Sequence, residues 1–572
     1  MSKGRWRGMR MIVLVAALGV ASIVPLEAGS SSDRAAAMGG VAGKFEALSR
    51  KVPSAVLNKL SSGVRNYVNL AQRWKSIASQ TSGAADESAF TTSLPSALPL
   101  AAPSGISSPG RDVQASRFSG FVQSETSSAW CGTNVVVGYN DTASFFLQSV
   151  SGFTVVGYAV STNSGNSFTG GRALIPGVLP AGVTERDFMG DPVVGCASKT
   201  NFFFSTLTMD TLNDSSQISG VSVTFSVDGG FTFDNTVMAA GKDYPNHLLD
   251  KDWLTVDPTN GSRLYVTYTD FDSTGALCPG DTRLAIEIVT SADGGATWSS
   301  PTVVKETCST STGAVQGSQV VVGSGGEVYV AYESFDAFGS PQIEVARSND
   351  QAQSFTTPLA VATVAAVGGV SIFGNGQATL QGNFKSNEFP SLAIDRSPKP
   401  SEGNVYIAWN DGGNGFVFDP LGEPTSYAYA DVLFTRSTDG GVTWSAPVRV
   451  NNNPEFPFAA SSLRTDQYEP GLAVDQTNGK LGLCFYDRRR DPKNFRIDRE
   501  CAKSTNQGNT WSNTRITANL FPPEVNQDPL VVPGYMGDYD TVASDFLRTK
   551  SGFFGAWGDN TKGNPDVTGA KF

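Results

Sequence analysis

Short runs of alternating β-branched and aromatic residues recur along the chain. They read NVVVGYND from Asn134, RLYVTYTD from Arg263, EVYVAYES from Glu327, NVYIAWND from Asn404, KLGLCFYD from Lys480 and GFFGAWGD from Gly552, with a weaker NFFFST from Asn201. Period-two alternation of such residues, bounded by polar turns, predicts strands. Each run fits the second strand (b) of a four-strand cycle, a to d, that begins near Arg117 and repeats.

An octapeptide follows the third strand (c) in most cycles. STDGGVTW runs from Ser437 to Trp444, SADGGATW from Ser291 to Trp298 and SVDGGFTF from Ser226 to Phe233. STNQGNTW starts at Ser504, STNSGNSF at Ser161 and SNDQAQSF at Ser348. A fixed unit returning every several tens of residues marks a repeat architecture. Asp439 offers oxygens to backbone N–H groups further on, and Gly440 and Gly441 tolerate positive φ, so the unit predicts a tight turn. The closing aromatic then packs inward. Asparagine replaces aspartate at Asn163 and Asn506, so the side chain serves turn geometry rather than charge.

The pattern Ser-x-Asp-x-Gly-x-Thr-Trp resembles the Asp-box, or BNR repeat, of sialidase-like β-propellers, over roughly residues 117–572. The resemblance implies an all-β propeller. Seven a–b units predict seven blades, with the six-bladed sialidase arrangement as the alternative. There are only six octapeptides, and the seventh unit ends at DVTGAKF, Asp566 to Phe572. Residues Val113 to Phe118 are expected to add the missing fourth strand and close the ring, which removes an open sheet edge. The octapeptide turns should lie on one face, and the loops entering strand a and leaving strand b on the other.

The start of the chain differs. Lys3, Arg5, Arg7 and Arg10 precede an apolar run from Met11 to Pro25, which is short for a membrane span and fits a signal peptide over residues 1–28. Residues 29–80, with partial helical spacing from Ala55 to Ala78, read as a helical or unstructured pro-segment or tether. Residues 81–112, rich in Ser, Ala and Pro, read as a linker before a propeller at 113–572. A secreted or otherwise extracytoplasmic protein follows, at the cell surface or in the periplasm, touching a membrane only if the first segment stays uncleaved. In that compartment the six cysteines form disulfides. The layout pairs Cys131 with Cys196, Cys278 with Cys308 and Cys484 with Cys501. A formal net charge of −11 argues against nucleic acid as a partner. A single histidine, His247, argues against a Ser-His-Asp triad or a multi-histidine zinc site.

Candidate chemistry gathers on the face opposite the octapeptides. The longest insertions, residues 361–386 and 412–429, are there. One polar residue stands at the entry to each inner strand: Glu125, Asp191, Asp252, Gln319, Glu388, Glu469 and Asp538. Carboxylates converging on a channel need protons or counter-cations. Ca²⁺ held by Glu125, Asp191, Asp252, Glu388, Glu469 and Asp538 is one solution. The other is that each acid serves its own loop; no cofactor is otherwise required. Arg186, Arg464 and Arg488, the last in the basic run YDRRRDPKNFR, come from separate loops. The sialidase resemblance implies that such arginines grip a sugar carboxylate; equally, they pair with the acids. It also implies a tyrosine nucleophile partnered by a glutamate, and an aspartate acid–base: here Tyr539 or Tyr468 with Glu469, and Asp191 or Asp252. The FRIP motif of sialidases has no counterpart. The aromatic strand ends, Trp409 among them, stack either on sugars or in the core. The leading expectation is a glycoside hydrolase acting on terminal, sialic-acid-type sugars of glycans. A non-catalytic glycan- or protein-binding propeller is the alternative, and a polysaccharide lyase using His247 is third.

Overall fold

The computed structural model describes residues 112–572 except 147–150, 338, 371–377, 414–415, 419–423, 454–463, 525–527, 529–530 and 532–533. The signal peptide, the tether and nearly all of the linker lie outside the described residues. Seven four-stranded antiparallel sheets follow one another. Their inner strands a are Gln123–Cys131, Val183–Cys196, His247–Val256, Ala314–Val322, Ser391–Ile394, Gln467–Asp475 and Val542–Ser544 in blades 1 to 7. Their second strands b are Asn134–Asp141, Phe202–Leu212, Leu264–Asp272, Val328–Phe335, Val405–Asp411, Lys480–Asp487 and Phe553–Asp559.

Closure takes the expected form. Asp112–Gln114 pairs with Asp566–Lys571, Val113 opposite Gly569, so the first described residues finish the last blade. The strand-b aromatics Tyr139, Tyr268, Tyr332, Trp409, Phe485 and Trp557 are all buried between blades. Their periodicity is that of a core. Burial of an aromatic side chain contributes about 1.5–3 kcal/mol, repeated here in blade after blade.

Each octapeptide closes on itself. Asp439 Oδ1 accepts from the N–H groups of Val442 and Thr443, and its Oδ2 from the Thr443 hydroxyl. The Ser437 hydroxyl donates to Asp439 and accepts from Gly441 N–H. Asn163 and Asn506 accept from the N–H groups of Ser167 and Thr510 in the same way. The turns contact the a–b hairpins, as where Gly229 N–H donates to the Thr200 carbonyl, so they sit on the face away from the entries to strand a.

All three disulfides join the expected cysteines. Cys131–Cys196 links blade 1 to blade 2, Cys278–Cys308 ties a loop to the outer strand of blade 3, and Cys484–Cys501 crosses directly opposite positions in blade 6. Among the described residues no helix is long and apolar enough to cross a membrane.

The blade 5 insertions form two small sheets. One contains Gly369–Val370, Ala378–Leu380 and Phe384–Lys385, the other Phe416–Phe418 and Pro424–Ala428, and Gly368 bridges Ala428 between them. Phe384 from the first packs on Tyr468 and Tyr486 of blade 6. The insertion therefore reaches over blade 6 on the strand-a entry face. If turn geometry is the task of Asp439, Asp439→Asn leaves the melting temperature near that of the parent, and Asp439→Ala lowers it by several degrees in a thermal melt.

Candidate functional site: an ion-paired hub

In five blades, strand a carries a one-residue bulge near its start. Its register against strand b shifts between Ser124 and Ser127, Gly190 and Val193, Asp250 and Trp253, Gln316 and Gln319, and Tyr468 and Gly471. The bulge opens with a left-handed residue: Glu125 at φ 53°, Asp191 at 54°, Lys251 at 54°, Gly317 at 68° and Glu469 at 52°. A non-glycine residue held there costs about 1–3 kcal/mol and points to a functional constraint. A repeated inter-blade bond places the other two blades in phase. It runs from Val194 N–H to Ser127, Leu392 N–H to Gln319, Leu472 N–H to Ser391 and Ser128 N–H to Thr541. Counting two residues back puts Phe389 and Tyr539 at the bulge position of blades 5 and 7.

The expected acidic ring is thus corrected. Its members do not share one register, and a lysine holds the place in blade 3. Asp252, one residue further on, turns to the Ser205 hydroxyl of blade 2 at 2.5 Å. Gln319 Oε1 serves the inter-blade bond. Glu388 accepts Val367 N–H at 2.9 Å and so braces the blade 5 insertion.

Glu125, Asp191 and Asp538 do meet, around two lysines, and Glu469 lies near enough to feel the charges of Asp538 and Glu125. Lys251 Nζ lies 2.5 Å from Asp538, 3.6 Å from Glu125 and 3.7 Å from Asp191. Lys385 Nζ, delivered by the insertion, lies 2.6 Å from Asp538, and Asn387 donates to the same carboxylate at 3.1 Å. Two ammonium groups stand where a channel cation was expected. Among the described residues no three of His, Cys, Asp and Glu group as metal ligands. The donor set does not suit Ca²⁺, which requires oxygens alone.

Glu125 is held by three hydrogen-bond donors. Tyr535 Oη donates to its Oε1 at 2.6 Å, Asp538 N–H to the same oxygen at 3.1 Å, and Asn140 to Oε2 at 2.5 Å. Both carboxylate oxygens of Asp191, and both of Glu469, are buried with no hydrogen-bond partner. Burial pushes the Asp191 carboxyl well up; Lys251 offsets only part of this, and Glu125 adds to it. Burial likewise raises Glu469 well above the usual range, reinforced by Asp540 and Asp538. Burial also acts on Asp538, but Lys251 and Lys385 override it and hold that carboxyl below its ordinary value. Environments that drive neighbouring carboxyls apart are the usual origin of an acid beside a base. A second cluster adjoins: Arg499, fully buried, is 3.3 Å from Asp540 and stacks 4.4 Å from the Tyr486 ring.

The remaining candidates lie elsewhere. Arg186 forms a buried fork with Asp210, both contacts at 2.7 Å. Arg488 is enclosed beneath the insertion, donating to the carbonyls of Gln381 and Asn494 and to Tyr468 Oη. Its neighbours Arg489 and Arg490 pair with Asp487, Asp498 and Glu500 inside blade 6. Arg464 is half-buried beside Tyr429. The three arginines do not converge, because each is bound or enclosed within its own loop system. Trp409 is fully buried and donates to Asp411. Tyr539 donates to the Pro192 carbonyl and packs on Trp253, spanning the channel from blade 7. Glu469 is not its partner. His247 is held in blade 3 by Asp270 at 3.0 Å, among Lys242, Glu287 and Arg283. Sequence reasoning missed Lys251, Lys385 and Tyr535. Only the bulge register singles out Lys251, and only the insertion's path brings in Lys385.

No protein-family model matches the chain. No curated protein matches it either. Among solved structures it is similar to a Hadza microbial sialidase, with 13% identity, 74% of each chain covered and a TM-score of 0.39. An α-L-arabinofuranosidase of Fusarium graminearum gives 9% identity, 81% of this chain and 98% of the other, and a TM-score of 0.41. An α-L-arabinanase of Penicillium chrysogenum gives 12%, 67% and 94%, and 0.40. The seven blades rest on the chain's own hydrogen bonding, independently of these likenesses.

Two outcomes follow from the hub's electrostatics. Lys251→Met leaves Asp538 and its neighbours under-compensated and lowers stability by about 3–5 kcal/mol in denaturant unfolding. Glu469 has a folded value above its unfolded one, so its contribution is full below about pH 4 and is lost as pH rises through the folded value. Glutamine mimics the protonated form and escapes that loss. Melting curves of Glu469→Gln therefore match the parent in acid and exceed it at alkaline pH; parallel curves contradict this.

Proposed function

We propose that the protein is an exported glycoside hydrolase acting on terminal sugars of glycans, with Tyr535, Glu125 and Asp191 as its reacting groups. The observation that carries this reading is the 2.6 Å contact of Tyr535 Oη with Glu125 beside Asp191, whose oxygens have no hydrogen-bond partner and whose carboxyl burial pushes well up. A tyrosine partnered by a glutamate, with an aspartate acid–base, is also what the octapeptide resemblance implies. The residues differ from those the sequence suggested.

In the first step the Tyr535 oxygen attacks the anomeric carbon and its proton passes to Glu125, while Asp191 protonates the departing oxygen. Lys251, 3.7 Å away, steadies the Asp191 carboxylate so formed. In the second step that carboxylate takes a proton from water, whose oxygen displaces Tyr535, and Glu125 returns the proton to the phenol. Burial and the nearby acids hold the free Tyr535 hydroxyl well above its ordinary value. It therefore reacts only in concert with transfer to Glu125. The hub acids are at most 4% exposed, so neighbouring side chains must shift to admit a sugar. A sialoside heads the substrate panel through the octapeptide resemblance. The scattered arginines favour a sugar without a carboxylate.

A second reading has its own support. The same burial suits a non-catalytic glycan- or protein-binding propeller whose hub charges simply fasten the blades. Three disulfides accord with an oxidising, extracytoplasmic setting in either case. Fluorogenic sialosides, arabinofuranosides and hexopyranosides separate the two. Turnover that falls about 10³-fold in Tyr535→Phe and in Asp191→Asn, with melting temperatures retained, supports the hydrolase. Full activity in Tyr535→Phe, or no turnover by the parent on any glycoside, contradicts it.

A further inference from the structure

The central channel has a second compartment, on the octapeptide side of Tyr539. It is a cavity of about 210 Å³ lined by residues of every blade, among them Trp130, Leu254, Val321, Ile394 and Val542. At about 30 Å³ per water it has room for roughly seven. Most of its lining side chains are apolar, polar atoms make up about half of its exposed wall, and one charged side chain, Arg396, lines it. Gln476 fixes the backbone there: its Oε1 accepts Arg396 N–H at 2.7 Å and its Nε2 donates to the Ile394 carbonyl at 2.9 Å. The guanidinium lies 5.1 Å from the ring centre of Phe546, and its buried Nε has no hydrogen-bond partner.

Among the described residues no carboxylate lies within ion-pair distance of Arg396, although Asp257 and Asp395 attract it at longer range. Asp395, its neighbour in sequence, accepts Ser397 N–H, and Asp257 accepts the N–H and hydroxyl of Thr259. Burial pulls the guanidinium down to about 10, and the like charge of Arg548 adds to this. A planar fork of donors whose Nε lacks an acceptor, in a wall lined largely by apolar side chains, matches a carboxylate carrying a short apolar body. The guanidinium is half-buried and Asp257 and Asp395 attract it only at longer range, so an anion seated directly on it gains a charge-assisted contact.

We infer that this compartment is a binding site for a small monocarboxylate with an apolar body, its carboxylate on Arg396 and its body among the inner-strand side chains. The site is separate from the hub acids and does not depend on the proposed hydrolysis. Its volume is below that of sites for drug-sized ligands, which start at about 300 Å³. This selects a compact acid over a long-chain lipid.

Calorimetry on the intact protein with hexanoate, benzoate and the neutral analogue hexanamide tests the assignment. Hexanoate or benzoate is expected to bind at least about tenfold more tightly than hexanamide, and Arg396→Gln to remove that preference. Equal binding of acid and amide, binding of neither acid, or an unchanged preference in Arg396→Gln overturns it. Should Arg396→Gln fail to fold, Arg548→Gln decides, since that side chain is exposed: it weakens hexanoate binding severalfold and leaves hexanamide unaffected, and no change overturns the site. A peptide with a free C-terminal leucine that binds more tightly than hexanoate, and depends on Arg396, reassigns the site to a protein terminus and overturns the small-molecule reading.

Discussion

Carboxylates gathered in a low-dielectric hub cannot all carry charge, and the strand-a entry face is arranged around that limit. Glu125, Asp191, Glu469, Asp538 and Asp540 meet three cations, Lys251, Lys385 and Arg499. The acids outnumber the cations by two. Asp191 and Glu469 are the two whose oxygens have no hydrogen-bond partner, and burial raises both carboxyls, although Lys251 stands 3.7 Å from Asp191. These two are the acids that the hub favours in the neutral form. The cost of holding this arrangement falls on the blades, whose buried aromatics and closed ring supply the compensating free energy.

Symmetry explains the scaffold, and its breaking marks the site. The bulge recurs because each inner strand must turn into the channel, and four of its five left-handed positions carry side chains rather than glycine. A ring of identical acids would repel itself. Replacement of one acid by Lys251, and delivery of Lys385 from an insertion found only in blade 5, turns repulsion into attraction. Phe389 and Tyr539 take the two remaining places, and both rings lie within 6 Å of the Lys251 ammonium. Tyr539, reaching Pro192 and Trp253, also stands between the ion-paired end of the channel and the cavity beyond it.

Blade number, ring closure and disulfide pairing were legible in the sequence because each depends on a local or repeated signal. The b-strand runs, the glycine turns and the heights of the cysteines along the cycle carry over directly to the structure. The hub was legible only in part. Glu125, Asp191 and Glu469 stand before strand a in a recognisable place. A bulge, however, shifts phase by one residue, and a reader looking for an acid takes Asp252 where Lys251 belongs. Arg186 and Arg488 look available in the sequence because Asp210 and the Gln381 carbonyl are remote along the chain and the Asn494 carbonyl is a backbone acceptor that no side chain announces. Arg396 follows the inner strand of blade 5 in an unremarkable polar stretch. Its place in the channel wall appears only once the seven inner strands are assembled around it.

The hub's central claim is that it holds neutral carboxylic acids beside an ionised one at neutral pH. Infrared difference spectroscopy of the parent against Glu469→Gln and Asp191→Asn reads this directly. The account predicts that each variant loses a protonated-carboxyl C=O stretch at neutral pH and that Asp538→Asn loses an ionised carboxylate band. Loss of an ionised band in both Glu469→Gln and Asp191→Asn would contradict it.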